Sequence, residues 1–306
     1  MTTLKYDATQ AAAGKPGWLG YALATMLLWG VWGAFAGLPS QHGFPETLIY
    51  VVWALTMVPP ALAVVARKGW RVRRDRRAIG YGLTIGLLGA GGQMVLFYAV
   101  SAGPTYLIFP LIALSPVITI VLSLVFLRER TGLLGAAGIV LAVCALPLFD
   151  YAPGQAASAY GLWFVLAIVV LVAWGLQGYF IKLANASMDA ESIFFYMTVS
   201  ALLVVPLALA MTDFGKPINY GPWGPGMAAV TQALNALGAL TLVHAFRHGK
   251  ALVVSPLVNA GAPLLTTVIA MMVAGALPGV YKLAGIVLSL LASLLLALQP
   301  DDGAAG

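Results

Sequence analysis

Trp29-Gly30-Val31-Trp32-Gly33 and Trp174-Gly175-Leu176-Gln177-Gly178 stand 145 positions apart in a chain of 306 residues. The first lies near the middle of an apolar run from Trp18 to Leu38, the second inside a run from Tyr160 to Ile181. The correspondence continues along the chain. Glu46 precedes the next apolar run as Glu191 precedes its counterpart, and Pro60 is matched by Pro206. Gly92, Ala99, Gly103 and Pro110 recur at a shift of 146 as Gly238, Ala245, Gly249 and Pro256. After one inserted residue Pro116 matches Pro263, and Ala137-Gly138-Ile139-Val140-Leu141 recurs as Ala284-Gly285-Ile286-Val287-Leu288. One register held across five consecutive runs reads as an internal duplication.

The solvent for these runs is set by composition. The chain is 61% hydrophobic and 8% charged, whereas soluble domains carry about a quarter charged residues. A bilayer core of about 30 Å calls for about twenty apolar residues in helix. Ten runs fit that length: Trp18 to Leu38, Thr47 to Ala66, Ile79 to Ser101, Thr105 to Leu127, Leu133 to Phe149, Tyr160 to Ile181, Ser192 to Met211, Met227 to Phe246, Leu252 to Ala274 and Tyr281 to Leu298. Lipid offers the backbone no hydrogen-bond partner, and runs this long without alternation exclude a barrel, so each is expected to be a helix.

Basic residues favour the cytoplasmic side of a membrane. With the N-terminus inside, fourteen of the sixteen Lys and Arg residues fall on that side and only Lys216 and Lys282 fall outside. Both termini are therefore expected in the cytoplasm. Seven of these cations crowd into Arg67 to Arg77, so the net charge of +6 reads as a topology signal and not as a nucleic-acid surface. Five spans per half is an odd number, so the second half enters from the opposite face. The expected fold is an all-α integral membrane protein of ten transmembrane helices, arranged as two inverted five-helix repeats. Residues 1–16 form an N-terminal tail, 17–149 the first repeat, 150–159 an external linker, 160–298 the second repeat and 299–306 a C-terminal tail. Inverted repeats place binding sites near the midplane and allow access to alternate between faces. The bare chain without a targeting tail suggests a bacterial inner membrane.

Tyr98-Ala99, Ser115-Pro116, Arg128-Glu129-Arg130-Thr131 and Gly138 form a short-helix, proline, acidic-end and glycine pattern at the junction of spans three to five. In this the chain resembles the EamA-type ten-helix carriers of the drug/metabolite transporter superfamily, over about residues 17 to 298. The resemblance implies a carrier of small molecules. The sequence departs from the pattern where Gly275-Ala276-Leu277-Pro278 replaces the second acidic turn, and where Trp53 stands near a position at which many members carry arginine.

Candidate substrate-binding residues are those whose polarity has no place in lipid. Trp29, Trp32, Trp53 and Trp174 lie deeper than an interfacial belt and can stack on a ligand, whereas Trp18, Trp70, Trp163 and Trp223 lie close to span ends, as interfacial anchors do. Gln93, Gln177, Asn235 and Asn259, with Tyr98 and Tyr179 nearer helix ends, must face the bundle interior, either bonding other helices or contacting a solute. Glu46, Glu191 and His244 are the titratable candidates for gating or coupling, the two glutamates also being suited to helix N-termini. Pro110, Pro116, Pro256 and Pro263 interrupt spans four and nine at matching places, as hinges or as static kinks. No Asp, Glu, Lys or Arg lies in the middle of any span, which disfavours organic cations carried by a buried carboxylate.

Enzymatic chemistry lacks its usual groups. HExxH, GxSxG and paired mid-span carboxylates are absent, and Cys144 is the single cysteine, so neither a metal, a cofactor nor a catalytic role is expected. The Gly82 and Gly86 pair is a weak signal for a homodimer. The reading is a transporter, for uptake or export, of a small neutral or zwitterionic metabolite such as an amino acid or nucleobase, with membrane lipids as its other partner. The alternative is a non-transporting receptor or assembly factor on the same fold.

Overall fold

The computed structural model describes residues 17–126, 132–149, 161–185, 187–248, 251–275 and 277–298, and every regular element among them is helical. In chain order these are α1 (Trp18–Phe35), α2 (Leu38–Gln41), α3 (Glu46–Thr56), α4 (Val58–Arg67), α5 (Arg76–Ala102), α6 (Thr105–Ile112), α7 (Ser115–Phe126), α8 (Leu133–Ala145), α9 (Leu162–Asn185), α10 (Ala190–Ala210), α11 (Met227–His248), α12 (Ala251–Ala274) and α13 (Val280–Ala297). Six stretches among the described residues are long and apolar enough to cross a bilayer: Trp18–Gln41, Glu46–Arg67, Arg76–Ala102, Thr105–Phe126, Leu162–Ile181 and Glu191–Ala210. Leu133–Leu148, Gly261–Ala274 and Val280–Leu296 are shorter apolar helices. The tails at 1–16 and 299–306, the 150–159 linker and the Arg128-Glu129-Arg130-Thr131 turn lie outside the described residues.

Prolines decide where the helices break. Pro59 and Pro60 fall in the first turn of α4, where a missing N–H lacks an intrahelical partner in any case. The Met57 N–H still bonds Trp53 O and the Ala61 N–H bonds Met57 O, both at 3.2 Å, so the ladder resumes at once. Pro110 and Pro116 split the fourth span into α6 and α7, as expected. The matching prolines do not interrupt the ninth span: α12 runs unbroken through Pro256 and Pro263. Spacing supplies the reason. Seven residues are close to two helical turns, so Pro256 and Pro263 leave their gaps on one face, where a gentle bend absorbs both. The six-residue spacing of Pro110 and Pro116 puts the two gaps on different faces, and no single bend serves both.

The two halves pack crosswise. The first helix of the first half, α1, lies against α11 and α12, while its counterpart in the second half, α9, lies against α5, α6 and α7. The same atoms recur at both crossings. The Thr266 hydroxyl donates to Gly30 O at 3.0 Å, and the Thr119 hydroxyl donates to Gly175 O at 2.8 Å. Gly238 receives the Trp29 indole against its backbone, as Gly92 receives that of Trp174. Glycine is required here because a Cβ at either position would overlap the ring. Lipid tails supply no hydrophobic drive for helix association, so close approach and interhelical hydrogen bonds must hold these crossings. Gly82 and Gly86 belong to the same scheme: they face Tyr196 and Ser200 of α10 within the chain, so this small-residue pair is occupied by an internal contact and does not present a dimer face.

Gly92→Val and Gly238→Val should each lower stability by about 1–3 kcal/mol through overpacking, read as thermal unfolding in detergent. Gly91→Ala should be neutral or slightly stabilising, because Gly91 is exposed with open space around it and a helical glycine costs about 0.5–1 kcal/mol relative to alanine.

Candidate functional site

A cavity of about 770 Å³ lies between the halves. On one side it is walled by Trp29 and Trp32 of α1 and Trp53 of α3, with Asn235 of α11 behind them. On the other it is walled by Gln93 of α5 and by Trp174 and Gln177 of α9. Pro116 and Pro263, one from each half, complete the lining at the helix breaks and bends. None of the described residues that line it is charged.

The indoles on the first wall are fixed by α11. The Trp32 Nε1–H donates to Gln232 Oε1 at 3.1 Å, and the Trp53 Nε1–H donates to Asn235 Oδ1 at 3.2 Å. The Trp29 Nε1–H reaches the Asn235 backbone oxygen at 3.1 Å. Trp32 also meets Phe109 edge to face, with ring centroids 5.7 Å apart. Each indole N–H is thus satisfied, and its amide partner is oriented with its oxygen toward the ring. The second wall is less settled. Gln177 Nε2 donates to Ile85 O at 3.1 Å, but Nε2 of Gln93 is buried without a hydrogen-bond partner among the described residues, as is Nε2 of Gln232, which lies on the side of the first wall and off the lining. Buried amides left unpaired carry a desolvation cost that a bound polar molecule or water can relieve.

The repeat makes this asymmetry visible. Trp32 and Gln177 occupy equivalent places in the two pentapeptides, so one half contributes an indole where the other contributes an amide. The scaffold positions are duplicated, and so is part of the lining, such as Trp29 with Trp174 and Pro116 with Pro263, but at this place the two halves differ.

Other sequence candidates lie elsewhere. Tyr98 packs in the cluster around Phe44, Leu48 and Trp53, and Tyr179 meets Phe126 at a tilt and Phe180 edge to face; neither lines the cavity. Pro110 is buried in α6, off the lining. Glu46 begins α3 and Glu191 falls in the first turn of α10, both away from the cavity. Lys68 at the end of α4 sits 3.8 Å from Glu191 and 2.5 Å from Asp189, the N-cap of α10. The side chains of His244, Pro256 and Asn259 lie outside the described residues. Gln232, Thr119 and Thr266 escaped the sequence reading. The spacing of Gln232 and Asn235, three apart on one face of α11, and the recurrence of the threonine at a shift of 147 would have found them.

Burial pushes the Asp189 carboxyl up, but the Lys68 ammonium and the N–H and hydroxyl of Ser192 outweigh it and hold the pKa below the usual carboxylate value.

Residues 16–149 and 161–298 each match the EamA-like transporter family. The chain belongs to the EamA-like transporter family. It is a multi-pass membrane protein built from two copies of that family's unit. It is 28% identical over 185 residues to the pseudopaline exporter CntI of Pseudomonas aeruginosa, strain UCBPP-PA14, a match covering 60% of this chain and 63% of the exporter's length. The uncharacterized protein MJ1333.1 of Methanocaldococcus jannaschii is 32% identical over 76 residues, 25% of this chain and 56% of that protein. A solved crystal structure superposes with a TM-score of 0.59 over 92% of this chain and 96% of its own, at 17% identity, and so shares the fold.

Trp32→Phe keeps an aromatic ring but removes the pyrrole half of the indole with its N–H, leaving the Gln232 oxygen without that partner; a loss of about 1–3 kcal/mol is expected. Adding Gln232→Leu should recover most of it, and full additivity in the double-mutant cycle would show that the pair is not coupled. A carboxyl whose folded pKa is depressed contributes stability above its unfolded pKa, about 3.9, and loses it as pH falls through the lower folded value. Asp189→Asn should therefore flatten the decline in stability below about pH 4, measured as unfolding temperature against pH.

Proposed function

We propose that this chain is a secondary carrier for a small neutral or zwitterionic metabolite, of the amino acid or nucleobase class, working by alternating access between two inverted five-span halves. The observation that carries this reading is the cavity walled by both halves with indoles and amides and, among its described lining, no charge. Its volume, about 770 Å³, falls in the range of small-molecule sites. Aromatic faces, three on one wall and Trp174 on the other, suit a flat or apolar body, and the amide groups of Gln93 and Gln177 suit polar ends of either kind. An organic cation would find no carboxylate to pair with.

Ten spans follow from joining α3 with α4 and α6 with α7, giving five per half and both termini on one face. The cavity reaches Ile181, Met197, Leu242 and Val258, near the ends of α9 and α11 and the starts of α10 and α12. These helix ends share a face with the basic loop at 67–77, taken as cytoplasmic by the charge rule. The opposite end is closed by Thr47 and Thr212, whose hydroxyls meet at 2.7 Å, and by Asn219, whose Nδ2 donates to His42 O at 2.9 Å. On this reading the conformation is an inward-facing one. Likeness to a pseudopaline exporter favours export over uptake. A neutral cargo and an uncharged lining make facilitated diffusion or exchange a better fit than proton coupling.

The test is transport of a mixed pool of labelled amino acids, nucleobases and sugars by the full chain in proteoliposomes. One class should cross, and Trp32→Ala and Gln93→Ala should each weaken its transport about tenfold or more, the equivalent of about 1.4 kcal/mol. Flux that follows an imposed pH gradient and is abolished by Glu46→Gln or Glu191→Gln would overturn the uncoupled mechanism. Saturable binding without any flux would favour the receptor.

A further inference from the structure

The loop between α4 and α5 carries more order than a topology signal needs. Gly69 and Trp70 adopt consecutive left-handed conformations, with φ of 68° and 61°, and Trp70 is the one non-glycine residue with positive φ among those described. Their N–H groups are engaged, Gly69 with Ala66 O and Trp70 with Val65 O, both at 2.9 Å. A bulky residue rarely adopts this conformation. Here the conformation holds an indole outward, 62% exposed, three residues beyond the apolar Glu46–Arg67 span. Among the described residues nothing covers the indole, which leaves it open to the membrane surface.

The charges beside it are arranged to match. Lys68 is paired with Asp189, and Arg73 donates to Asp75 at 2.7 Å. Arg71, Arg74, Arg76 and Arg77 are exposed and make no ion pair among the described residues. The backbone presenting them is fixed. Arg73 N–H donates to Ser192 Oγ at 3.1 Å, the Tyr196 hydroxyl donates to Arg73 O at 2.7 Å, and Val72 packs with Ile193 and Tyr196. A set of charges needed only to orient the chain during insertion has no use for an ordered backbone or an outward tryptophan.

We propose that this loop is a binding surface for anionic phospholipid headgroups, with Trp70 seated at the level of the glycerol and carbonyl groups and the four arginines on the phosphates. Indoles favour that depth, where one edge is apolar and the other wet. Guanidinium forks match phosphate oxygens in pairs of hydrogen bonds. Because the loop is bonded to Ser192 and Tyr196, the lipid also steadies the start of α10, the helix whose N-cap Lys68 grips.

The test is native mass spectrometry of the full chain with equimolar phosphatidylglycerol and phosphatidylcholine of the same acyl chains. Phosphatidylglycerol should be retained preferentially. Replacing Arg71, Arg74, Arg76 and Arg77 together by Gln should reduce that preference about tenfold or more, each basic group near an anionic surface being worth about a fivefold factor. Trp70→Ala should weaken retention of both lipids while leaving the preference. Equal retention of the two lipids by the unaltered chain overturns the proposal, and that comparison stands even if the fourfold variant fails to fold. A preference that survives in a folded fourfold variant overturns it as well. Loss of the bound lipid to millimolar inorganic phosphate would point to a site for free phosphate instead.

Discussion

Hydrocarbon gives a polar group nothing to bond with, and every level of this molecule answers to that constraint. It makes the backbone helical, and it makes apolar burial useless as the force that joins one helix to another. What remains is close contact and hydrogen bonding between helices. The chain uses both at the crossings of α1 with α12 and of α9 with α7, where a threonine hydroxyl reaches a glycine carbonyl on the neighbouring helix. The same constraint reaches the side chains. An indole N–H or an amide must find its partner inside, and so the polar residues of the spans collect where the halves meet.

That collecting is why part of the candidate site was legible in the sequence. Trp29, Trp32, Trp53, Gln93, Trp174, Gln177 and Asn235 could not face lipid at their depth, and all seven line the cavity. Tyr98 and Tyr179 were less constrained, since a phenol near a helix end can reach the interface or rest on other rings, and they do not line it. The helices were legible for the same reason as the site: a run of twenty apolar residues has little else to become. Repeated pentapeptides and prolines gave the duplication. The difference between a split fourth span and a continuous α12 was not read, although it lies in the spacing of two proline pairs, because its outcome depends on which face of the helix loses its bonds. Loop structure was least legible. The π-helical turn at Pro222–Gly226 and the outward Trp70 are set by a few backbone hydrogen bonds that no periodicity announces.

Duplication explains the scaffold but only part of the lining. Glycines and threonines at the crossings are matched because the packing they permit occurs twice. Trp32 and Gln177 are equivalent in position and opposite in chemistry. A site with the full symmetry of its scaffold would present the same groups to both sides of a ligand, and few metabolites are symmetric in that way.

The satisfied indoles and the unsatisfied amides therefore have different freedoms. Trp29, Trp32 and Trp53 are bound into α11, and replacing any of them disturbs the helix packing as well as the wall. The Gln93 side-chain amide nitrogen has no hydrogen-bond partner among the described residues, and Gln177 donates to a single backbone carbonyl. Change at these two positions therefore costs the fold little, while still altering the shape and polarity of the cavity wall. On the proposed reading, a lineage can shift its cargo by drifting along one wall while the other holds the protein together. Divergence in specificity among chains of this build should then be concentrated on the face contributed by α5 and α9.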